Sequence, residues 1–470
     1  VADVLLKDSA SKFWRARVGA CGALSDVIVG REWIELGGGG PVLEDDVLYD
    51  GGDVGIGAGV RLLRIWRAVL RALDDVRDAV RQNGATLGRA VRALTLRLCD
   101  PSAQDKSSGE KRARPDSLTL ERDASAAAAT ALRWLVKHGL NQVVPESQGL
   151  CIVTLVDIIG VARPVILEPS LPELIRSLLL AMSGLEPAAL NYLQLRTSNQ
   201  EGLERARLQL AQSGPLATAV NKCVELLPQA KHETQQAVVS SLDSALRLSA
   251  GFASRAAVAD TAALMCNICP SAFVFPGLAG TASPSVRLMR AFYFATEKER
   301  GQGAKDKMVH ALGNIAAFCP GGSVRSLALR ACQRYRASTG TQNDPASRRA
   351  AAGALRAIAV RATKQLSDGG NSNIWSLTVL PIAFLGQKDE ETKVASLMKE
   401  VWQEGGSTVQ ENVSQDFGTR VEEALLPELV SECLRALDDV SWSRRLAGSQ
   451  SLSELCQLGV LSPLRVSGTR

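Results

Sequence analysis

The chain has 470 residues, with 54 Lys and Arg against 49 Asp and Glu for a formal charge of +5, and it is 46% hydrophobic and 22% charged. These proportions lie near the globular average and exclude a disordered, collagen-like or membrane-embedded chain; so small a cationic excess gives no chain-wide nucleic-acid footprint. Only 4% of residues are aromatic, and abundant Ala, Leu and Arg favour helices, because unbranched side chains lose little rotamer freedom there.

In chain order, the first helical pattern starts at Trp14 and places Arg17, Ala20, Ala23, Leu24 and Val27 on one stripe. Gly37–Gly59 follows, with four consecutive Gly and then Gly51, Gly52, Gly55, Gly57 and Gly59, and is expected to be a flexible excursion. Leu70-Arg71-Ala72-Leu73-Asp74-Asp75-Val76 closes one helical pattern and opens the next. The same seven residues return as Leu434-Arg435-Ala436-Leu437-Asp438-Asp439-Val440. Pro101–Asp123 is polar and charged and is expected to be a second flexible loop. The stripe of Trp14 recurs from Gln148 through Cys151, Thr154, Leu155 and Ile158, from Arg348 through Ala351, Ala354, Leu355 and Ile358, and from Trp442 through Arg445, Gly448, Ser451, Leu452 and Leu455.

Other helices announce themselves by Pro near the start, as in Leu171-Pro172-Glu173, Leu380-Pro381-Ile382 and Leu426-Pro427-Glu428, where the first-turn amides have no intrahelical partner. Shorter loops are expected at 320–322, 339–344, 367–373 and 405–415. Helix, Asp-bearing turn, then helix with an early Arg is the pattern of HEAT repeats, whose unit of about 40 to 47 residues fits the chain roughly nine or ten times. The fold class expected is therefore all-α, a HEAT/armadillo-like solenoid of stacked antiparallel helix pairs without a sheet, elongated and continuous over 1–470 apart from flexible loops at 37–59 and 101–123.

The 10 Cys lie far apart from Cys21 to Cys456, which suits buried thiols in a reducing compartment, cytoplasm or nucleus, better than a disulfide framework. The apolar run 150–167 contains Asp157, Arg163 and Pro164, so no transmembrane span is expected. The start at Val1 and the end in mid-pattern suggest a piece of a longer protein.

Candidate chemistry is thin. Gly55-Ile56-Gly57-Ala58-Gly59 precedes a helix as a phosphate cradle would, but has neither the G-x-G-x-x-G register nor a Walker Lys. Cys266-Asn267-Ile268-Cys269 has metal-knuckle spacing without a second ligand pair. His138, His232 and His310 lack the sequence company of a catalytic base. Asp74/Asp75 and Asp438/Asp439 are duplicated, which favours a turn-capping role with a neighbouring Arg over paired catalytic carboxylates. Lys111-Arg112-Ala113-Arg114 is a short basic string, read as solvated loop over import signal. Trp14, Trp66, Trp134 and Trp442 are expected in the core, and Trp375 and Trp402 near loops as corner seals or partner anchors. No catalytic, cofactor or metal residue is assigned, and the binding residues are unknown.

Several strings resemble, in order, the family of large HEAT-repeat proteasome adapter and scaffold proteins, the extracellular mutant protein twenty-nine homologues. They are Lys12-Phe13-Trp14-Arg15 through Ala23-Leu24-Ser25-Asp26, Asp74-Asp75-Val76-Arg77 with Cys99-Asp100-Pro101, and Leu185-Glu186-Pro187 with Leu190-Asn191-Tyr192-Leu193, Leu195-Arg196 and Ala206-Arg207-Leu208. Further on come Val379-Leu380-Pro381-Ile382-Ala383-Phe384-Leu385-Gly386, Glu400-Val401-Trp402-Gln403-Glu404 and Ser441-Trp442, with a looser match over Gly251–Thr363. The resemblance implies a non-enzymatic scaffold without cofactors. Its partners would be the core and regulatory particles of the 26S proteasome, with no nucleic acid and no small-molecule substrate, in cytoplasm and nucleus. The chain would be an interior to C-terminal-side part of a protein several times longer. Without the resemblance, another HEAT scaffold such as a nuclear transport receptor is the alternative.

Overall fold

The computed structural model describes residues 1–31, 33, 35, 36, 47–50, 53–56, 59–100, 117–182, 199–249, 251–274, 282–338, 344–362, 364, 365, 375–410 and 425–457. The chain divides into two compact units, Val1–Leu185 with Ala211–Ser241, and Glu186–Leu210 with Leu242–Arg470. Both are built of helix pairs joined by short turns, the all-α HEAT-like solenoid class.

In the first unit α1 (Ala2–Asp8) pairs with α2 (Trp14–Ile28), and α3 (Gly59–Leu73) with α4 (Asp78–Cys99). Next, α5 (Ser117–Trp134), prolonged by a π-helical turn at Leu135–Gly139, pairs with α6 (Pro145–Val161). The chain continues through α7 (Pro164–Leu167), α8 (Leu171–Ala181), α9 (Gln200–Ser213), of which Gln200–Leu210 belong to the second unit, α10 (Pro215–Glu225) and α11 (His232–Leu248), which passes into the second unit at Leu242. The second unit holds α12 (Phe252–Ile268), α13 (Pro284–Lys298) with α14 (Gln302–Ala316), and α15 (Gly321–Ala337) with α16 (Pro345–Arg361). A π-helical turn at Trp375–Val379 runs into α17 (Leu380–Gly386), which pairs with α18 (Thr392–Gln410), and α19 (Leu425–Leu437) pairs with α20 (Trp442–Gln457).

The second helices of the pairs stack in rows: α2 on α4 and α4 on α6 in one unit, α12 on α14, α14 on α16 and α16 on α18 in the other. Small residues set the spacing. A Cβ on Gly313 of α14 would stand 2.8 Å from the Ala357 carbonyl oxygen of α16, and one on Gly84 2.8 Å from the Ala72 Cβ. The stripe Arg348, Ala351, Ala354, Leu355 and Ile358 is buried at every position, and so are Cys151, Thr154, Leu155 and Ile158. Ion pairs cross the same rows, Arg92 with Asp157, Lys307 with Asp260, and Arg356 Nε with Glu400 Oε2 at 2.5 Å.

Four expectations about loops change, the shortest being 320–322, where Gly321 and Gly322 open α15 behind Pro320. Within 37–59, β1 (Val47–Asp50) and β2 (Asp53–Ile56) form an antiparallel ribbon with Val47 opposite Ile56 and Asp50 opposite Asp53. Val, Leu and Tyr suit a strand, and Gly51-Gly52 between the paired Asp residues is a two-residue hairpin signal. This ribbon is the only sheet among the described residues and leaves the fold class intact. Ser117–Asp123, taken as the end of a loop, open α5; Asp123 accepts from Trp33 Nε1 at 2.7 Å, and Glu121 holds Arg163 at 3.0 Å. Gly405–Gln410 continue α18. The loop positions 101–116, 367–373 and 411–415, with Lys111–Arg114 among them, lie outside the described residues.

Candidate functional site

The duplicated heptapeptide folds the same way twice. After α3, Asp74 N donates to Leu70 O at 3.2 Å and Asp75 N to Ala72 O at 3.3 Å; after α19, Asp438 N donates to Leu434 O and Asp439 N to Ala436 O, both at 3.2 Å. Asp75 Oδ1 then accepts from Arg77 N, and Asp439 Oδ1 from Ser441 N, each at 2.9 Å. Asp389 and Glu299 hold the amides of Glu391 and Gly301 in the same way at 3.0 and 3.1 Å. A carboxylate in the turn thus ties off the amides that open the second helix.

Each such carboxylate except Asp439 also meets a guanidinium from the preceding pair. Arg17 forks onto Asp75 at 2.6 and 3.0 Å, Arg255 Nε reaches Glu299 Oε2 at 2.6 Å, and the buried Arg348 sits 3.4 Å from Asp389 and 2.9 Å from Glu390. The Arg17 guanidinium, with the Arg77 amide behind it, holds the Asp75 carboxyl below its ordinary range against the opposing effect of burial. Burial pushes Glu299 the other way but is outweighed by Arg255 and the Gly301 and Arg300 amides, leaving it lowered too. Arg17, Arg81, Arg255 and Arg445 each donate to the carbonyl six residues earlier, at 2.9, 2.7, 3.1 and 2.9 Å. Arg17 and Arg445 are therefore structural clasps, and Asp75 and Asp439, the second Asp of each pair, are turn caps.

The remaining candidates are scattered. Gly55 lies in β2 opposite Leu48, and Gly59 opens α3 where a Cβ would stand 2.9 Å from Thr130, a packing reason for glycine. Cys266 and Cys269 are buried thiols, and burial pushes Cys266 up to about 12; among the described residues no group of three metal-binding side chains occurs. His138 packs beside Trp134, His232 Nδ1 lies 3.3 Å from Gln235, and His310 Nε2 lies 3.1 Å from Asn314, so they share no site. Trp66 is in the core with Nε1 donating to Thr95 Oγ1 at 3.1 Å, and Trp134 is buried. Trp14 and Trp442, expected in the core, are instead 39% and 69% exposed, with the Arg15 and Arg445 guanidinium groups over their rings. As the first residue of a second helix, each projects at the turn edge and misses the buried stripe. Trp402 seals a corner on Phe384, with ring centroids 5.1 Å apart; the Trp375 side chain lies outside the described residues.

Sequence reasoning missed a cationic surface on the first helices of the second unit. Arg287, Arg290, Phe294 and Lys298 follow one another down one face of α13, with a groove against Leu246 and Arg247 of α11 on one side. A second groove, between α13 and α15, is lined by Arg325, Leu329, Arg330 and Arg334. The Arg330 guanidinium lies 4.5 Å over the Phe294 ring and joins the two. The spacing of Arg287, Arg290 and Lys298 was the available signal, diluted by a chain-wide charge close to balance.

The model of the HEAT-repeat domain of "Proteasome adapter and scaffold protein ECM29" matches residues 167–336, a stretch that includes most of the region whose motifs look loosest. Human "Proteasome adapter and scaffold protein ECM29" is 25% identical over 461 residues, covering 96% of this chain and 21% of its own length. This chain is similar to those adapter and scaffold proteins. The "Proteasome-associated protein ECM29 homolog" of Drosophila melanogaster is 24% identical over 96% of the chain, and "Proteasome component ECM29" of Saccharomyces cerevisiae 20% over 97%. The chain spans about a fifth of these relatives, 21% in each. Among solved structures, Kap121p bound to RanGTP aligns with 97% of this chain and 48% of its own at 12% identity and a TM-score of 0.34, at which neither function nor partner transfers. No helix among the described residues is long and apolar enough to cross a membrane.

Proposed function

We propose that the chain is part of a non-enzymatic adapter that binds the 26S proteasome, touching its core and regulatory particles and stabilising or targeting it through protein–protein contacts. The observation that carries this reading is the collinear match over 96% of the chain to the human adapter and scaffold protein. The separation of the three His and the structural employment of Asp75 and Asp439 support a scaffold over an enzyme. A cytoplasmic and nuclear location is part of the proposal, supported by ten free thiols, nine of them buried.

Affinity capture of the full-length protein from its own cells is expected to recover proteasome subunits, with loss at raised salt because exposed charge pairs are screened. Recovery of transport GTPases in their place would favour the other HEAT-scaffold reading, a nuclear transport receptor.

A further inference from the structure

We infer that the cationic grooves flanking α13 form a docking site for an acidic segment of a partner protein; this rests on the scaffold reading above and names the chemistry of one contact. The charges there are uncompensated. Among the described residues no carboxylate lies within ion-pair range of Arg287, Arg290, Lys298, Arg325 or Arg330. The two carboxylates beside them are already engaged, Glu297 by Arg334 at 3.4 Å and Glu299 by Arg255 at 2.6 Å. Some other cations of the unit do have carboxylate partners, as Lys307 has Asp260 and Arg356 has Glu400. Arg325 adds a buried Nη1 without a hydrogen-bond partner, next to the uncapped start of α15, where backbone amides also favour negative charge.

The shape and chemistry select a peptide. Side chains at 287, 290, 294 and 298 recur along one helical face, so their charges form a line that an acidic chain can follow. Guanidinium groups match carboxylates in a two-point fork, and Leu329 with the edge of Phe294 offers an apolar floor between them. Single-stranded nucleic acid needs open aromatic faces for stacking, whereas Phe294 is half-buried and covered by Arg330. A membrane surface needs a flat basic face with protruding apolar side chains, and these cations line grooves.

The test is fluorescence anisotropy of a labelled peptide of alternating Glu and Leu with the full 470-residue chain, against a scrambled peptide carrying Lys for Glu, a single-stranded RNA and anionic vesicles. The acidic peptide is expected to bind, with affinity falling as salt rises. The double variant Arg287→Glu/Arg330→Glu should weaken it at least about tenfold, Arg287→Gln/Arg330→Gln by less, and Arg31→Glu, on an exposed turn of the first unit, not at all. Helical circular dichroism of each variant verifies folding. Equal binding of the double charge reversal and the parent, no binding of the acidic peptide, or tighter binding of RNA or vesicles overturns the inference. Proteasome capture by the full-length protein alongside a silent acidic peptide would refute the groove alone and leave the adapter reading standing.

Discussion

Glu432 of α19 is 3% exposed and accepts hydrogen bonds from Arg336 Nε and Nη2 at 3.1 and 2.7 Å and from Arg435 Nη1 at 2.7 Å, with Arg444 Nη2 at 3.5 Å. It joins α15, α19 and α20. Glu432→Gln keeps the volume and removes the charge, so the 8% exposed Arg444 guanidinium loses this carboxylate and retains Asp439 at 3.5 Å. Breaking a buried pair from one side costs about 3 to 5 kcal/mol. Arg336 and Arg435 are 29% and 54% exposed and regain water, which puts the loss near the lower end, about 3 kcal/mol. At about 1.4 kcal/mol per factor of ten, local opening becomes roughly a hundredfold more populated. Hydrogen exchange read by mass spectrometry should therefore accelerate by that order in α19 and the end of α15, while α2 and α4 keep their protection. Arg435→Gln, which removes only the exposed partner, should change exchange by less than about threefold. Unaltered protection in Glu432→Gln would mean that the three guanidinium groups are solvated in solution and that the cluster holds nothing together.

Gly313→Ala should destabilise by about 1 to 3 kcal/mol, because its Cβ would meet the Ala357 oxygen at 2.8 Å, whereas Gly149→Ala, with open space around it, should stabilise by a few tenths to about 1 kcal/mol; denaturant midpoints measure both. Maleimide labelling of the native chain should modify Cys456 alone at speed, since the other nine Cys are buried and burial pushes Cys99, Cys151 and Cys332 up to about 12; more than one fast adduct by intact mass would contradict that burial. The carboxyls of Asp75, Glu299 and Asp344 are held below their ordinary values, by Arg17, by Arg255 over the opposing effect of burial, and by the Ser347 hydroxyl. Their stabilisation is present above the unfolded-chain value of about 4 and fades as pH falls through the lower native values, so thermal melting should be level from about pH 5 to 7 and drop below about pH 4.

The parts of the fold legible in the sequence are those where one residue type had one task. Leu70–Val76 and its copy specified identical turns because the Asp at the sixth position needs only the amide two residues on. The Arg348 and Gln148 stripes were legible because a row of Ala, Cys, Thr and Leu has no exposed use. The Trp stripe misled at its first position: Trp14 and Trp442 share the offset of the buried face but stand one turn before the neighbouring helix begins to cover it. The third and fourth turn carboxylates went unread because Glu299 substitutes for Asp with a longer arm, and because Asp389 lies outside any copy of the repeated heptapeptide. The cationic grooves are a property of two helices 30 to 40 positions apart in register, as Arg290 and Arg330 are, and only stacking brings such positions together.

The recurrence of the guanidinium-to-turn bond has an evolutionary corollary. Arg255 and Arg348 present the same group at the same place on two second helices, α12 and α16, and Glu299 and Asp389 receive it with the same geometry toward the following amide. A genetic deletion that excises one whole helix pair would bring Arg255 opposite another carboxylate-bearing turn, with no stranded charge left at the seam. A deletion of half a pair would strand both. Length variation within such a lineage is thereby channelled into complete units, and the junction chemistry, more than the core, sets the quantum in which the array can grow or shrink.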